Sequence, residues 1–249
     1  MSDAVPTVAE LRATLRTIEG GVRERPVLPF GIESLDGRLA DGGLRLDALH
    51  EVSSRGAGWG DDAAAVLFAA GVAARTRRNV LWVVRSRDLF APGLYQAGLA
   101  PSCVVFAEAR DDAELLALLE EGLRHRGLGA VVGEAKRMQM AQARRLQLAA
   151  EGGGTVALLL RRPSRSGTDP LDASSAAVTR WRVAHAPSAP VPWEGLGRAC
   201  WHVECVRQRG GDPFELVVEG SDEAGRLALP AQLVDRPAAA DRAPARAVG

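Results

Sequence analysis

Lysine is almost absent from this sequence of 249 residues, since Lys136 is the only one. Nearly all of the positive charge is therefore carried by arginine, a bias that is usual in proteins from GC-rich genomes. The formal net charge is zero, which argues against tight non-specific binding of nucleic acid by the chain as a whole. A local patch of arginines remains compatible with this balance.

Cysteine is scarce as well, and no apolar run reaches the length of a membrane span. The three cysteines, Cys103, Cys200 and Cys205, are an odd number and lack the spacing of a disulfide scaffold. No signal peptide is recognisable, so the cytoplasm is the expected compartment. Apolar residues make up 47% and charged residues 25% of the chain, which is ordinary for a globular protein.

The most informative stretch lies between residues 47 and 74. It is predicted to form a strand, a loop that contains Gly56, Gly58 and Gly60, and a helix rich in alanine. This is the layout of a phosphate-binding loop, in which backbone N–H groups and a helix N-terminus hold an anion. A working loop has the pattern G-x-x-x-x-G-K-[ST], whereas here Gly60 is followed by Asp61 and Asp62.

The two aspartates replace the residues that carry the chemistry of such a loop. At about 4 Å and an effective dielectric constant near 20, a carboxylate repels a phosphate charge by roughly 4 kcal/mol. Negative charge nevertheless suits the N-terminus of a helix. We therefore expect the degenerate loop to keep its helix and to bind no nucleotide, metal or other cofactor, with Trp59 plugging the empty loop.

Predicted strands and helices alternate between residues 45 and 160, which indicates a parallel sheet with helices on both faces. After residue 160 the pattern changes, and further strands are predicted at residues 179–183, 199–206 and 214–219. These strands are expected to extend the sheet in antiparallel fashion. The predicted fold is therefore three-layer α/β with a mostly parallel central sheet.

Three regions are distinguished along the chain. Residues 1–27 are predicted to form an amphipathic helix and a linker, because a capping box begins at Thr7 and apolar residues follow at helical spacing. Residues 28–228 form the core domain. Residues 229–249 are predicted to be a disordered tail, because they are rich in alanine, proline and arginine and lack apolar periodicity. The N-terminal helix either packs on its own domain or docks on another protomer or partner.

The order of these elements and several motifs resemble the RecA family. The segment Gly31-Ile-Glu-Ser-Leu-Asp36, the turn Gly42-Gly43-Leu44 and the strand that ends at Val52 are similar to the RecA segment before its phosphate loop. Pro92-x-x-Tyr95-x-x-x-x-Leu99 is similar to the segment after the next RecA strand. The resemblance covers residues 28–220 and implies a RecA-like fold.

Three positions that RecA relatives use for ATP hydrolysis differ in this chain. The nucleotide-binding lysine falls on Asp61, and the general-base glutamate falls near Ser86. The aspartate that would end the strand at residues 130–132 falls on Gly133, with Glu134 beside it. The resemblance therefore implies a pseudo-ATPase without catalytic residues.

One branch of the RecA relatives, the ImuA family of damage-inducible bacterial proteins, is more similar still. The matching motifs are Val131-Val-Gly-Glu134, Arg144-Arg-Leu-Gln-Leu-Ala-Ala-Glu151, Leu158-Leu-Leu-Arg161, Ser174-Ser-Ala-Ala177, Thr179-Arg-Trp-Arg-Val183, Ala186-Pro-Ser188 and residues 207–211. This resemblance implies a non-catalytic scaffold in a translesion-synthesis assembly of the SOS response. The implied partners are ImuB, which is a Y-family polymerase homologue, and an error-prone replicative-type polymerase, with RecA as a further candidate. Contact with DNA is expected to be weak or indirect, and self-association stays open.

The resemblance also suggests where partners would bind. By analogy with the way RecA protomers join, Leu11 and Leu15 of the N-terminal helix are expected to contact a partner. The arginines of the tail, Arg236, Arg242 and Arg246, form a second candidate surface. Two other functions are kept as alternatives: an NTPase with an unconventional phosphate loop, and a SulA-like inhibitor of cell division.

Two groups of possible metal ligands have ordinary interpretations. Glu134 is either a displaced metal ligand or, as we favour, a carboxylate that is solvated or paired with arginine. Cys200, His202 and Cys205 suggest zinc, but in a strand residue 205 points away from the other two and no fourth ligand is near.

A group of arginines and a pair of tryptophans each allow a functional and a structural interpretation. Arg144, Arg145, Arg161 and Arg162 are either a phosphate-binding patch or a solvated helix end and loop. Trp181 and Trp201 on adjacent strands either stack on bases or, more commonly, pack in the core.

Overall fold

The computed structural model describes residues 25–56, 58–86, 88–163, 169–188, 191 and 194–230. The strands are β1 (Val27–Leu28), β2 (Leu44–Arg45), β3 (Leu49–Ser54), β4 (Asn79–Val84), β5 (Val104–Glu108), β6 (Leu128–Glu134), β7 (Val156–Arg161), β8 (Thr179–Ala186), β9 (Cys200–Gln208) and β10 (Phe214–Glu219). The helices are α1 (Glu33–Asp36), α2 (Trp59–Arg75), α3 (Ala91–Gln96), α4 (Asp112–Arg124) and α5 (Met140–Gly153), with a 3₁₀ turn at Pro101–Cys103.

Eight strands form the central sheet in the order β10-β9-β8-β3-β7-β6-β4-β5, while β1 and β2 pair separately. The six strands from β8 to β5 in this order are parallel, and β9 is antiparallel to both of its neighbours. The antiparallel extension thus begins one strand later than expected. The chain crosses back between residues 161 and 179, so β8 runs parallel to β3, with His50 opposite Thr179.

One face of the sheet is covered by α2, α3 and the segment around α1. Small alanine side chains on α2 let this helix pack closely on the sheet, and Phe68 of α2 stacks on Phe30 at 6.0 Å between ring centroids. Trp181 lies 5.6 Å from Phe68 and 5.8 Å from Phe214, and it is fully buried. Trp201 is buried too, which confirms that both strand tryptophans pack in the core.

The other face is covered by α4 and α5. The N-terminus of α4 is capped by Asp111, whose carboxylate accepts the Glu114 N–H at 2.8 Å. Leu115, Leu119 and Leu123 of α4 are buried against β4 and β6, as the helical spacing of leucines predicts. The helix α5 ends where Gly154 adopts a left-handed conformation with φ of 65°, which glycine adopts without steric cost.

The two helical layers and the sheet confirm the predicted RecA-like three-layer α/β fold. The predicted N-terminal helix and almost all of the predicted tail lie outside the described residues, so both stay predictions. Within the described ranges, no helix combines the length and apolar character needed to cross a membrane.

Candidate functional site

The degenerate loop lies between the end of β3 at Ser54 and the start of α2 at Trp59. Gly58 is the N-cap residue in an extended conformation, and it provides no side chain to the helix N-terminus. The Gly58 carbonyl accepts the N–H groups of Asp61 and Asp62, both at 3.1 Å. The predicted strand, glycine-rich loop and helix are therefore present in the expected order.

Both aspartates of the loop are engaged by neutral hydrogen-bond donors. The backbone N–H of His185 on β8 donates to Asp61 Oδ1 at 2.8 Å, and the Ser54 hydroxyl donates to Asp62 Oδ1 at 2.5 Å. Asp61 also lies against Gly56, where a Cβ atom would be 2.9 Å from Asp61 Oδ2. The carboxylates thus tie the loop to β3 and β8 and place negative charge where a working loop binds phosphate.

A second pair of carboxylates lies at the same edge of the sheet: Asp88 follows β4, and Glu134 is the last residue of β6. Arg162 binds both, with 3.0 Å from Nη1 to Asp88 Oδ2 and 3.0 Å from Nη2 to Glu134 Oε2. Burial raises the pKa of Glu134, and Arg162 opposes that rise. Burial acts in the same direction on Asp88, but hydrogen bonds from Arg162 and Ser86 outweigh it and lower the pKa of Asp88. Glu134 is therefore paired with arginine, as we favoured.

Two further family positions, Ser86 and Gly133, have other contacts in the described structure. Ser86, at the position of the general base, donates a hydrogen bond to Asp88 Oδ1 at 2.9 Å. Gly133 faces α4, and a Cβ atom there would lie 2.7 Å from a methyl group of Leu119. An aspartate at Gly133 would point into the buried layer of α4 and α5, away from the loop.

The four arginines of the predicted phosphate patch do not converge. Arg161 is buried on Glu51, Arg162 binds Asp88 and Glu134, and Arg145 pairs with Glu120 of α4. Arg144 is exposed on α5. The phosphate patch is therefore wrong as a unit, because three of the guanidinium groups already bind carboxylates on different elements.

Trp59 does not plug the loop. Its side chain is 90% exposed at the first turn of α2, and Phe90 before α3 is 71% exposed. Both border a cavity of about 260 Å³ between α2 and α3. The lining residues are Trp59, Asp62, Ala63, Val66, Leu67, Asp88, Leu89, Phe90, Gly93, Leu94 and Arg162. Because the first residue of α2 points outward, the helix geometry carries Trp59 away from the loop.

Comparison with known proteins assigns the family. No protein-family model matches the chain. Protein ImuA from two strains of Caulobacter vibrioides is 43% identical over 242 residues, which cover 92% of this chain and 98% of that protein. The chain belongs to the ImuA family. A crystal structure of SulA from Pseudomonas aeruginosa matches 46% of this chain and 97% of its own with 24% identity and a TM-score of 0.39, a likeness too partial to inform fold or function.

This ImuA-family chain contains a buried ionic cluster that sequence reasoning missed. Glu51 at the centre of the sheet is fully buried, and it accepts hydrogen bonds from Arg161 at 3.1 Å, Arg180 at 2.7 Å and Ser175 at 2.9 Å. Burial lowers the pKa of Arg161. The cluster joins β3, β7 and β8 to the segment before β8. The signal that could have found it is an acidic residue within a predicted core strand, between the apolar residues Leu49 and Val52.

A buried chain of neutral hydrogen bonds lies next to this cluster. The indole N–H of Trp181 donates to Thr179 Oγ1 at 2.6 Å, and Thr179 Oγ1 is 2.7 Å from His50 Nδ1. His50 Nε2 is 2.8 Å from the Arg45 carbonyl, so Nε2 must be the donor and Nδ1 the acceptor. Burial lowers the pKa of His50 to about 4, which keeps the ring neutral.

The cysteine and histidine group on β9 has separate surroundings for each side chain. Cys205 is buried on the α2 side, and burial raises the pKa of its thiol to about 12. His202 on the opposite face is 3.1 Å from Glu215 and 3.1 Å from Arg55. Within the described part of the chain, no group of three His, Cys, Asp or Glu side chains has a geometry that could hold a metal ion.

The residues expected to contact partners cannot be placed. Leu11, Leu15, Arg236, Arg242 and Arg246 all lie outside the described residues. Their role in binding therefore stays a prediction.

Proposed function

We propose that this ImuA-family protein is a non-catalytic scaffold in damage-inducible mutagenesis. It acts through protein contacts with ImuB and an error-prone polymerase during translesion synthesis, with RecA as a further candidate partner. The observation that supports this most is the replacement of the phosphate-binding residues by Asp61 and Asp62, which are hydrogen-bonded to His185 and Ser54. These hydrogen bonds hold the loop in place without a bound nucleotide.

The electrostatics of the loop favour a pseudo-ATPase over an active one. A phosphate bound there would meet two carboxylates in place of a lysine and a hydroxyl group. At about 4 Å and an effective dielectric constant near 20, each carboxylate would repel a phosphate charge by roughly 4 kcal/mol. Arg162, a guanidinium at this edge of the described structure, already binds Asp88 and Glu134. Recruiting it to a phosphate would leave both carboxylates without their cation.

Nucleotide binding tests the non-catalytic part of the proposal. Titration of the full chain with a fluorescent ATP analogue and Mg²⁺ should show no binding up to about 1 mM. The variant Asp61→Lys with Asp62→Thr, which restores the loop pattern, should tighten binding by about tenfold or more, because it removes the repulsion. An active NTPase with an unconventional loop would instead bind ATP tightly as wild type and change little on restoration.

The scaffold part is tested by pull-down of the tagged chain from its native host after DNA damage, followed by mass spectrometry. The full chain should recover the ImuB homologue and the error-prone polymerase. A version that ends at Leu229 should lose them if the tail carries the contact. Recovery of cell-division proteins with neither partner would contradict the scaffold function and favour a division inhibitor.

A further inference from the structure

The cavity between α2 and α3 has an apolar floor that stays open at the surface. Leu67 of α2 and Phe90 pack around Gly93 of α3, where a Cβ atom would be 3.6 Å from Leu67 and 3.4 Å from Phe90. Gly93 therefore lets α3 pack closely against α2. The floor is a preformed surface that needs no rearrangement before it binds a side chain.

Two aromatic side chains border this floor and are left in solvent. Trp59 is 90% exposed and Phe90 is 71% exposed, so most of each ring lacks a packing partner among the described residues. Tryptophan is enriched among the residues that contribute most to binding at protein interfaces, because it buries a large area with little loss of side-chain freedom. Two such rings beside a cavity resemble the centre of an interface more than an ordinary surface.

The rim of the cavity is acidic on the side of the loop. Asp62 and Asp88 line it together with Arg162, and Glu134 is close enough to interact electrostatically with both aspartates. Arg162 is the cation that binds this group within the described structure, and it is shared by Asp88 and Glu134. Among the described residues, the hydrogen-bond donors to Asp61 and Asp62 are the His185 N–H and the Ser54 hydroxyl, and Asp62 also interacts electrostatically with Arg162. An occupant with a positive charge next to its apolar part would therefore be favoured over a neutral or acidic one.

We infer that the cavity formed by Trp59, Leu67, Leu89 and Phe90 is the docking site for a short segment of a partner protein. The segment presents one large apolar side chain to the floor, with an arginine or lysine beside it that reaches Asp62 and Asp88. This inference deepens the proposed scaffold function, and it rests on that function only for the identity of the partner. The surface beside the degenerate loop thus serves as a protein-binding surface.

A random peptide library displayed on phage tests the chemistry of the site without assuming a partner. Selection on the immobilised full chain should enrich peptides with an aromatic residue or leucine next to arginine or lysine. Binding of a synthetic enriched peptide should weaken by about tenfold or more in Trp59→Ser and in Phe90→Ser, as expected for anchor residues. It should weaken less in Asp62→Asn, which keeps the acceptor for Ser54, and that variant should reduce the salt dependence.

The matched control is Leu148→Ser, which removes an exposed leucine from α5 on the opposite helical layer. It should leave peptide binding unchanged. Each variant is also checked by thermal unfolding, so that loss of binding is not confused with loss of the fold. Failure to enrich any motif, or equal binding by wild type and both aromatic variants, would overturn the inference.

Two further outcomes would identify a different occupant and overturn the inference as well. Peptide binding that appears only after deletion of residues 1–24 would show that the chain's own N-terminal segment fills the cavity. A dimer in light scattering that Trp59→Ser dissociates would show that a second copy fills it. Equal capture of the purified ImuB homologue by wild type and Trp59→Ser would refute this docking site and leave the scaffold function standing. Capture by neither would refute the scaffold function and leave the peptide-binding result for the cavity unaffected.

Discussion

The buried carboxylate at the centre of the sheet and the two carboxylates of the degenerate loop have different roles. Glu51 is fully buried and is bound by two arginines and a serine. Asp61 and Asp62 are partly exposed and are bound by one backbone N–H and one hydroxyl. Because desolvation makes a buried charge costly unless it is paired, Glu51 needs cations, whereas water can solvate the loop aspartates. Glu51 therefore serves the fold, whereas the loop carboxylates hold the loop and also contribute charge to the surface.

The variant Glu51→Gln is the most severe test of this difference between the sheet and the loop. This change leaves two buried guanidinium groups without their carboxylate, so we expect a loss of about 3–5 kcal/mol in the free energy of unfolding. Urea unfolding followed by circular dichroism measures it. The matched change at the loop, Asp61→Asn, should cost less than about 1 kcal/mol. Equal losses at the two positions would contradict the distinction between them.

The buried His50 predicts a loss of stability in acid. Its pKa falls from 6.5 to about 4 on folding, so between these values the unfolded chain binds more protons than the folded protein. The stability that this group contributes is fully present above pH 6.5 and is lost as the pH falls toward 4, by roughly 3 kcal/mol in total. Urea unfolding at several pH values measures it. The variant His50→Gln should show a flatter dependence in this window, and an unchanged slope would show that other groups are responsible.

A smaller effect than that of Glu51→Gln or of acid on His50 is expected from Asp62→Ala. This variant loses the hydrogen bond from Ser54 and a negative charge in the first turn of α2, which together are worth about 1 kcal/mol. A decrease in the thermal unfolding midpoint of a few degrees would agree with this. The variant Asp62→Asn keeps the acceptor and should fall between wild type and Asp62→Ala. A loss of stability as large as that of Glu51→Gln would contradict the distinction between the loop and the centre of the sheet.

Local patterns were sufficient for most of the fold. The alternation of apolar strands with leucine- and alanine-rich helices predicted the layers, because each helix and each buried strand repeats its own periodicity over neighbouring residues. The aspartates after Gly60 predicted a loop without the usual phosphate ligands for the same reason, since the relevant residues are adjacent in the chain.

Contacts between distant residues were decided by the tertiary structure alone. Glu51 meets Arg161 and Arg180, which are 110 and 129 residues away in the chain, and no local pattern relates them. The same holds for Arg162, because its two carboxylate partners lie at the ends of different strands, β4 and β6. The direction of Trp59 depended on where α2 begins, a boundary that sequence patterns locate only to within a few residues. The sequence by itself thus determined which helices and strands form, through their periodicity. It also determined that aspartates occupy the loop positions where a working phosphate loop has lysine and a hydroxyl residue. Only the packing of the elements decided which charges pair, which are buried, and which aromatic rings remain exposed to solvent.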